Sequence, residues 1–119
     1  PLPVQRPIPI WFGGGADAVL ERIARMGDGW MPNLRTAAGA APYLELLDRY
    51  LGDNGRSLAD IGLEPRIAWH TGDVENLLRQ KEEWHALGAT HLSLNTMNAG
   101  FTSAAQHIDA LRQFAEANQ

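Results

Sequence analysis

Cysteine is absent from the 119 residues and lysine occurs once, as Lys81. The first absence excludes disulfides and thiol chemistry and fits a reducing cytoplasm, the compartment expected for this chain. The second, with a formal net charge of −4, leaves no basic stripe for a nucleic-acid backbone to follow. No apolar run approaches the ~20 residues that a bilayer-spanning helix needs, and no signal-peptide pattern is visible. Neither a G-x-G-x-x-G loop nor the Gly-Lys-Ser/Thr ending of a phosphate loop occurs, so a dinucleotide or ATP fingerprint is missing. The sequence also lacks Ser-x-x-Lys, G-x-S-x-G and H-x-x-x-H, which excludes the usual signatures of a serine nucleophile and a helical zinc pair. No metal site is expected. Of the four histidines, His85 and His107 fall on helical stretches and are expected to face outward. Glu82-Glu83 and the positions around Asp73 and Glu75 read as a solvated helical face, and no carboxylate pair for acid/base work is visible. Catalytic residues are therefore not identifiable from these patterns.

What is present begins with Pro7-Ile8-Pro9-Ile10-Trp11-Phe12-Gly13-Gly14-Gly15-Ala16, an apolar run that stops at three glycines. The run predicts a buried strand, and Asp17 to Met26 predicts an amphipathic helix carrying Val19, Leu20, Ile23, Ala24 and Met26 on its inner side. Glycines at such a junction let backbone N–H groups approach a phosphate, or they simply make a turn that packs helix on sheet. Ahead of it, Pro1-Leu2-Pro3-Val4-Gln5-Arg6-Pro7 has no initiator Met and three prolines, the look of an extended tail cut from a longer protein.

The rest alternates. Gly29 to Met31 reads as a short strand ended by Pro32, and Pro42 opens a helix that Asp53-Asn54-Gly55 closes. Ser57 to Asp60 predicts one helical turn capped by Ser57, followed by a strand over Leu63–His70. Thr71-Gly72-Asp73 leads into a helix over Val74–Leu87 with Asp73 as cap and Gly88 as stop. A strand over Thr90–Thr96 and a helix capped by Ser103, with Ile108, Leu111 and Phe114 inward, complete the chain. Four strand–helix units in strict alternation predict a parallel sheet with helices outside it, either open or an arc of a closed barrel. The spacing is that of barrel units, and four is half of the eight that close a barrel. The expected architecture is a single domain over 1–119, a (β/α)4 half of a TIM barrel, whose bare inner face and free edges call for self-association or a missing half.

Each strand ends in polar or aromatic residues: Gly13-Gly14-Gly15, Trp30 to Asn33, Trp69-His70-Thr71, and Asn95-Thr96-Met97-Asn98. Ligands of parallel α/β folds bind at that end. Trp30 and Trp69 could flank a planar ring or belong to the core. His70 could donate, act as a base, or complete the rim; Asn95, Thr96 and Asn98 offer neutral hydrogen bonds to a ligand or to their own loop.

Pro9-Ile10-Trp11-Phe12-Gly13-Gly14 together with Arg22-Ile23-Ala24-Arg25-Met26-Gly27-Asp28-Gly29-Trp30-Met31-Pro32 resembles the carboxyl-terminal half of luciferase-like monooxygenases. Asn95-Thr96-Met97-Asn98-Ala99-Gly100 and Gln106 to Phe114 are similar to the last strand and helix of that family, especially of members assigned to a deazaflavin coenzyme. The likeness spans about Pro7 to Ala117. It implies an eight-stranded barrel holding FMN or deazaflavin at the carboxyl ends of its strands, with the four units here as strands five to eight and residues 1–6 as the tail of a preceding insertion. By the same resemblance Gly13, Gly14, Gly15 and Ala16 match the turn near the cofactor phosphate, where Gly15-Ala16 lacks the family's frequent hydroxyl and leaves only backbone N–H groups. Trp30 joins this cofactor-binding set as part of a rim segment, while Asn33, Trp69, His70, Asn95 and Thr96 are candidates for the substrate side or rim. The resulting expectation is part of a flavin- or deazaflavin-dependent oxidoreductase acting on a small organic substrate and inactive alone. A half-barrel that homodimerises around a ligand, and a paralogue without activity, are the alternatives.

Overall fold

The computed structural model describes residues 1–70 and 73–119. Residues 1–10 form no regular element, and Ile8 and Ile10 are 60% and 49% exposed, so the apolar run is not a buried strand from its start. Strand β1 covers only Trp11–Gly13. Ile10 is held by its backbone instead: its N–H donates to the Asp28 carboxylate at 2.7 Å and its carbonyl accepts from the Asp28 N–H at 2.8 Å. Helix α1 (Asp17–Met26) and strand β2 (Gly29–Met31) follow as the sequence predicts. Then come a 3-10 turn at Ala38–Ala40, α2 (Ala41–Asp53), a second 3-10 turn at Leu58–Asp60, β3 (Gly62–Leu63), β4 (Arg66–Ala68), α3 (Val74–Ala86), β5 (Ser93–Asn95) and α4 (Ala104–Ala117). The junction residues Thr71 and Gly72 lie outside the described residues.

Among the described residues all strand pairs are parallel, in the orders β1-β2-β3 and β4-β5. The strand expected over Leu63–His70 is thus two short ones, because Pro65 has no N–H to donate to the ladder. The chain stays bonded on both sides of the break. Glu64 N–H donates to the Trp30 carbonyl at 2.9 Å, and Ser93 N–H donates to the Pro65 carbonyl at 3.0 Å. The last strand is also shorter than expected. The Thr90 hydroxyl accepts the Leu63 N–H at 3.0 Å, while the Thr90 and His91 N–H groups converge on the Leu63 carbonyl, so side-chain bonding replaces the ladder there.

Period-two alternation sends Trp30, Leu63 and Ile67 toward the helices, where they join Leu20 and Ile23 of α1, Leu44, Leu47 and Leu51 of α2, and Leu77 and Trp84 of α3 in one buried cluster. Two helical faces differ from expectation. Met26 is 48% exposed, and in α4 the inward residues are His107, Ala110 and Phe114, while Ile108 and Leu111 face solvent at 53% and 46%. The phase of α4 follows from polar contacts: His107 shares a 2.8 Å hydrogen bond with the Thr96 hydroxyl and meets the Phe101 ring edge-on at 5.0 Å. His107 consequently points inward, contrary to the outward position expected from the sequence; His85 is exposed.

Caps fasten the helix ends. Asp73 accepts from Asn76 N–H at 3.0 Å, and Ser103 forms a capping box with Gln106. Arg56, half-buried, donates to the carbonyls of Ile23, Ala24 and Gly27 at 3.2, 3.1 and 2.7 Å, neutralising the carboxyl end of α1 from the loop after α2. Tyr50 donates to the Asp17 carboxylate at 2.7 Å, tying α2 to the start of α1. That hydrogen bond is the main reason its phenol titrates above the usual tyrosine range. On the other strand face the Trp11 indole lies across Gly29 and Gly62 and meets His91 edge-on at 5.1 Å; a Cβ at either glycine would stand 2.2 Å from the ring. Among the described residues no helix is long and apolar enough to cross a membrane.

Three outcomes test this packing. Arg56→Ala, which removes the side-chain donor from three carbonyls and leaves those of Ala24 and Gly27 without a partner, should lower the unfolding free energy by about 1.5–3 kcal/mol in urea denaturation. Gly62→Ala should cost roughly 1–3 kcal/mol by overpacking against Trp11, and the cost should shrink in a Trp11→Ala background. Because the Tyr50 phenol is stabilised in its protonated form when folded, its contribution is intact below the unfolded tyrosine range and is lost as pH rises through the raised value. The protein and its Tyr50→Phe variant should therefore differ in stability at pH 8 and converge above that range in pH-dependent urea melts.

Candidate functional site

The carboxyl ends of the strands are open. A cleft of about 520 Å³ lies there between the loop after β2 and the strands β4 and β5, lined by Pro32, Asn33, Leu34, Arg35, Arg66, Ala68, His70, Gln80 and Asn95. A second hollow of about 410 Å³ adjoins it, lined by Gly13, Gly14, Met31, Pro32, Asn33, Glu64, Arg66 and Ser93. The two share Pro32, Asn33 and Arg66 as a common wall. Of the residues singled out from the sequence, Gly13, Gly14, Asn33, His70 and Asn95 thus meet along one surface.

The others are elsewhere. Trp30 is completely buried and Trp69 is 3% exposed, so both rings belong to the core. Trp69 packs near Phe101, with ring centroids 6.5 Å apart, and Trp30 packs near Tyr43 at 6.4 Å. The Thr96 hydroxyl is engaged with His107, and the Asn95 side-chain oxygen accepts from Met97 N–H at 2.9 Å, closing its own loop. Gly15 and Ala16 line neither hollow.

The glycine turn has a specific construction. Gly14 adopts φ +97°, and a Cβ there would meet nothing within 4 Å, so glycine is required by backbone conformation. Gly15 is required by packing: a Cβ would approach the Tyr43 ring to 2.8 Å. Beneath the turn, the Trp30 indole N–H donates to the Gly14 carbonyl at 2.6 Å. The N-cap residue Ala16 supplies no side-chain bond to α1, and among the described residues the N–H groups of Asp17 and Ala18 make no hydrogen bond.

Sequence reading missed Glu64, Arg66, Ser93, Arg35 and Gln80. The signal for the first two was available. In Leu63-Glu64-Pro65-Arg66-Ile67 the charged residues alternate with apolar ones, which puts both on the face away from the helices. Glu64 accepts a hydrogen bond from the Ser93 hydroxyl, and Arg66 donates to the Asn33 side-chain oxygen at 3.4 Å. No group of three or more His, Cys, Asp or Glu side chains converges among the described residues.

Parallel strands, outer helices and a polar cleft at the carboxyl ends coincide with a match of residues 1–118 to the family of luciferase-like monooxygenases. The chain belongs to that family. The comparison with curated proteins gives no match. The mixed α/β arrangement of short parallel strands and four α-helices is consistent with part of a luciferase-like TIM barrel. Luciferase-like monooxygenases typically use flavin-type cofactors. In this member the buried Trp30 contributes to the adjoining hollow indirectly, by holding Gly14. Trp30→Phe, which keeps a ring but removes the N–H, should cost about 1–3 kcal/mol and speed amide exchange at Gly14 and Gly15, read by urea melts and NMR.

Proposed function

We propose that this chain forms the carboxyl-terminal half of the barrel of a flavin- or deazaflavin-dependent oxidoreductase or monooxygenase and supplies the phosphate side of its cofactor site. The observation that carries the reading is the set of four parallel strand–helix units with β1 and β5 unpaired on their outer edges and a polar cleft at the strands' carboxyl ends. Closure of a barrel requires eight such units.

The glycine turn fits the phosphate of FMN or a deazaflavin coenzyme. The N–H groups at the start of α1 lack acceptors, Gly14 brings backbone to the wall of the hollow without a side chain, and the Asp17 carboxylate is drawn toward α2 by Tyr50. Gly13, Gly14, Gly15 and Ala16 would hold the phosphate through backbone alone. When bound, the isoalloxazine or deazaflavin ring supplies hydride or oxygen chemistry. The chain's own residues bind and orient: Asn33, His70 and Asn95 present hydrogen-bonding groups toward a small organic substrate along the cleft wall. Trp30 fixes the turn through its indole N–H, and Trp69 packs in the core near Phe101.

The 119-residue chain by itself should show no cofactor-dependent turnover, and joining it to the residues that precede it in its gene should restore activity. Turnover by the isolated chain would overturn the half-barrel reading. A homodimer closing eight strands is the alternative that the same two parallel edges allow; light scattering that gives a dimer with one flavin per pair would select it.

A further inference from the structure

We propose that the cleft between the β2 loop and strands β4 and β5 binds the anionic group, phosphate or carboxylate, of the substrate, through the guanidinium groups of Arg35 and Arg66. The word substrate rests on the oxidoreductase reading; the anion site does not.

Among the described residues the ion pairs are Arg79–Glu83, Lys81–Glu82 and Arg112–Asp109, all on the helical surfaces. Arg56 is committed to the end of α1. Arg35 and Arg66 belong to neither group, and both line the cleft, whose wall includes no carboxylate. The nearest one along the strand, Glu64, lines the adjoining hollow and is engaged by Ser93. Arg66 makes one long hydrogen bond, 3.4 Å, to Asn33. Two arginines outside these ion pairs therefore line one concavity in a protein whose formal net charge is −4.

Both arginines are exposed, and what they share is the cleft that they line. Arg66 projects from the strand face that carries the hollows, and any ligand that fills the cleft displaces the water around it. A guanidinium stripped of water needs a counter-charge from the ligand, or binding is penalised. Its planar fork suits a phosphate or carboxylate in two parallel hydrogen bonds, and a cleft lined by one sign of charge concentrates such an anion. His70, Gln80 and Asn95 add further hydrogen-bonding groups around the same space. The cleft volume of about 520 Å³ suits a small metabolite.

The test is an NMR titration of the protein with inorganic phosphate and, separately, with succinate, at constant ionic strength and without flavin. Saturable shifts should centre on Asn33, Ala68, His70 and Asn95. Arg66→Gln and Arg35→Gln, both at exposed positions, should each raise the midpoint about tenfold or more, with Arg66→Lys between them and the protein. Tighter phosphate binding would mark the ligand as a phosphate ester, and tighter succinate binding would mark it as a carboxylate. Absence of saturable shifts, shifts confined to Gly13–Ala16, or indifference to all three substitutions would overturn the proposal. A repeat in the presence of FMN separates substrate from cofactor. Phosphate should still reach the cleft, and competition between the two would reassign the arginines to the cofactor's own phosphate and overturn the substrate assignment. Failure of FMN and of a deazaflavin coenzyme alike to shift Gly13–Ala16 would count against the cofactor-seat reading while leaving the flavin-free result intact.

Discussion

The indole of Trp30 joins the interior of this protein to its open rim. It sits in the middle of β2, opposite Phe12 on one side and Leu63 on the other, and its ring is completely buried. A tryptophan in such a place must find an acceptor for its N–H, and the acceptor here is the Gly14 carbonyl. One side chain thus fills the core between sheet and helices and sets the height of the glycine turn. The turn in turn decides where α1 begins. Gly15 lies against Tyr43, and Asp17 is bound by Tyr50, so two residues of α2 complete what Trp30 starts. The amino end of α1 is therefore located by packing rather than by the flexibility of its glycines.

A second constraint shapes the opposite face. At the amino ends of the strands the Trp11 ring covers Gly29 and Gly62 and reaches His91, which fills the concave side there. At the carboxyl ends no comparable plug exists among the described residues, and Asn33, Glu64, Arg66, Ser93 and Asn95 line the hollows. Pro65 contributes to this asymmetry. By breaking the ladder it lets one segment pair with β2 through Gly62–Leu63 and with β5 through Arg66–Ala68, so that Glu64 and Arg66 remain on the same open face. The anion site inferred for the cleft follows from that alignment, because it puts Arg66 of β4 in the cleft that Arg35, from the loop after β2, also lines.

Local chemistry was legible. Asp17 and Gly27 mark the ends of α1, Asp73 and Ser103 cap the helices expected of them, and Gly29–Met31 is the strand its neighbours predict. Caps and turns act within four residues, and the sequence displays those residues side by side. The family, too, was legible in the segments around Trp11-Phe12-Gly13-Gly14 and Gly29-Trp30-Met31-Pro32, which the match over residues 1–118 bears out. Long-range choices were not. Ile10, Met26, Ile108 and Leu111 are apolar and periodic yet exposed, because which side of an element is covered depends on the partner laid against it.

What the sequence by itself determined is the alternation of strand and helix, the capped helix starts, and the need for glycine in the turn before α1, all consequences of φ preference and hydrogen bonding between near neighbours. The tertiary structure alone decided that Trp30 and Trp69 are core rather than ring-flanking, that His107 turns inward to Thr96, and that Arg35 and Arg66 face one cleft. Each of those facts depends on groups brought together across intervening elements, where burial and pairing are settled jointly by surfaces far apart in the chain.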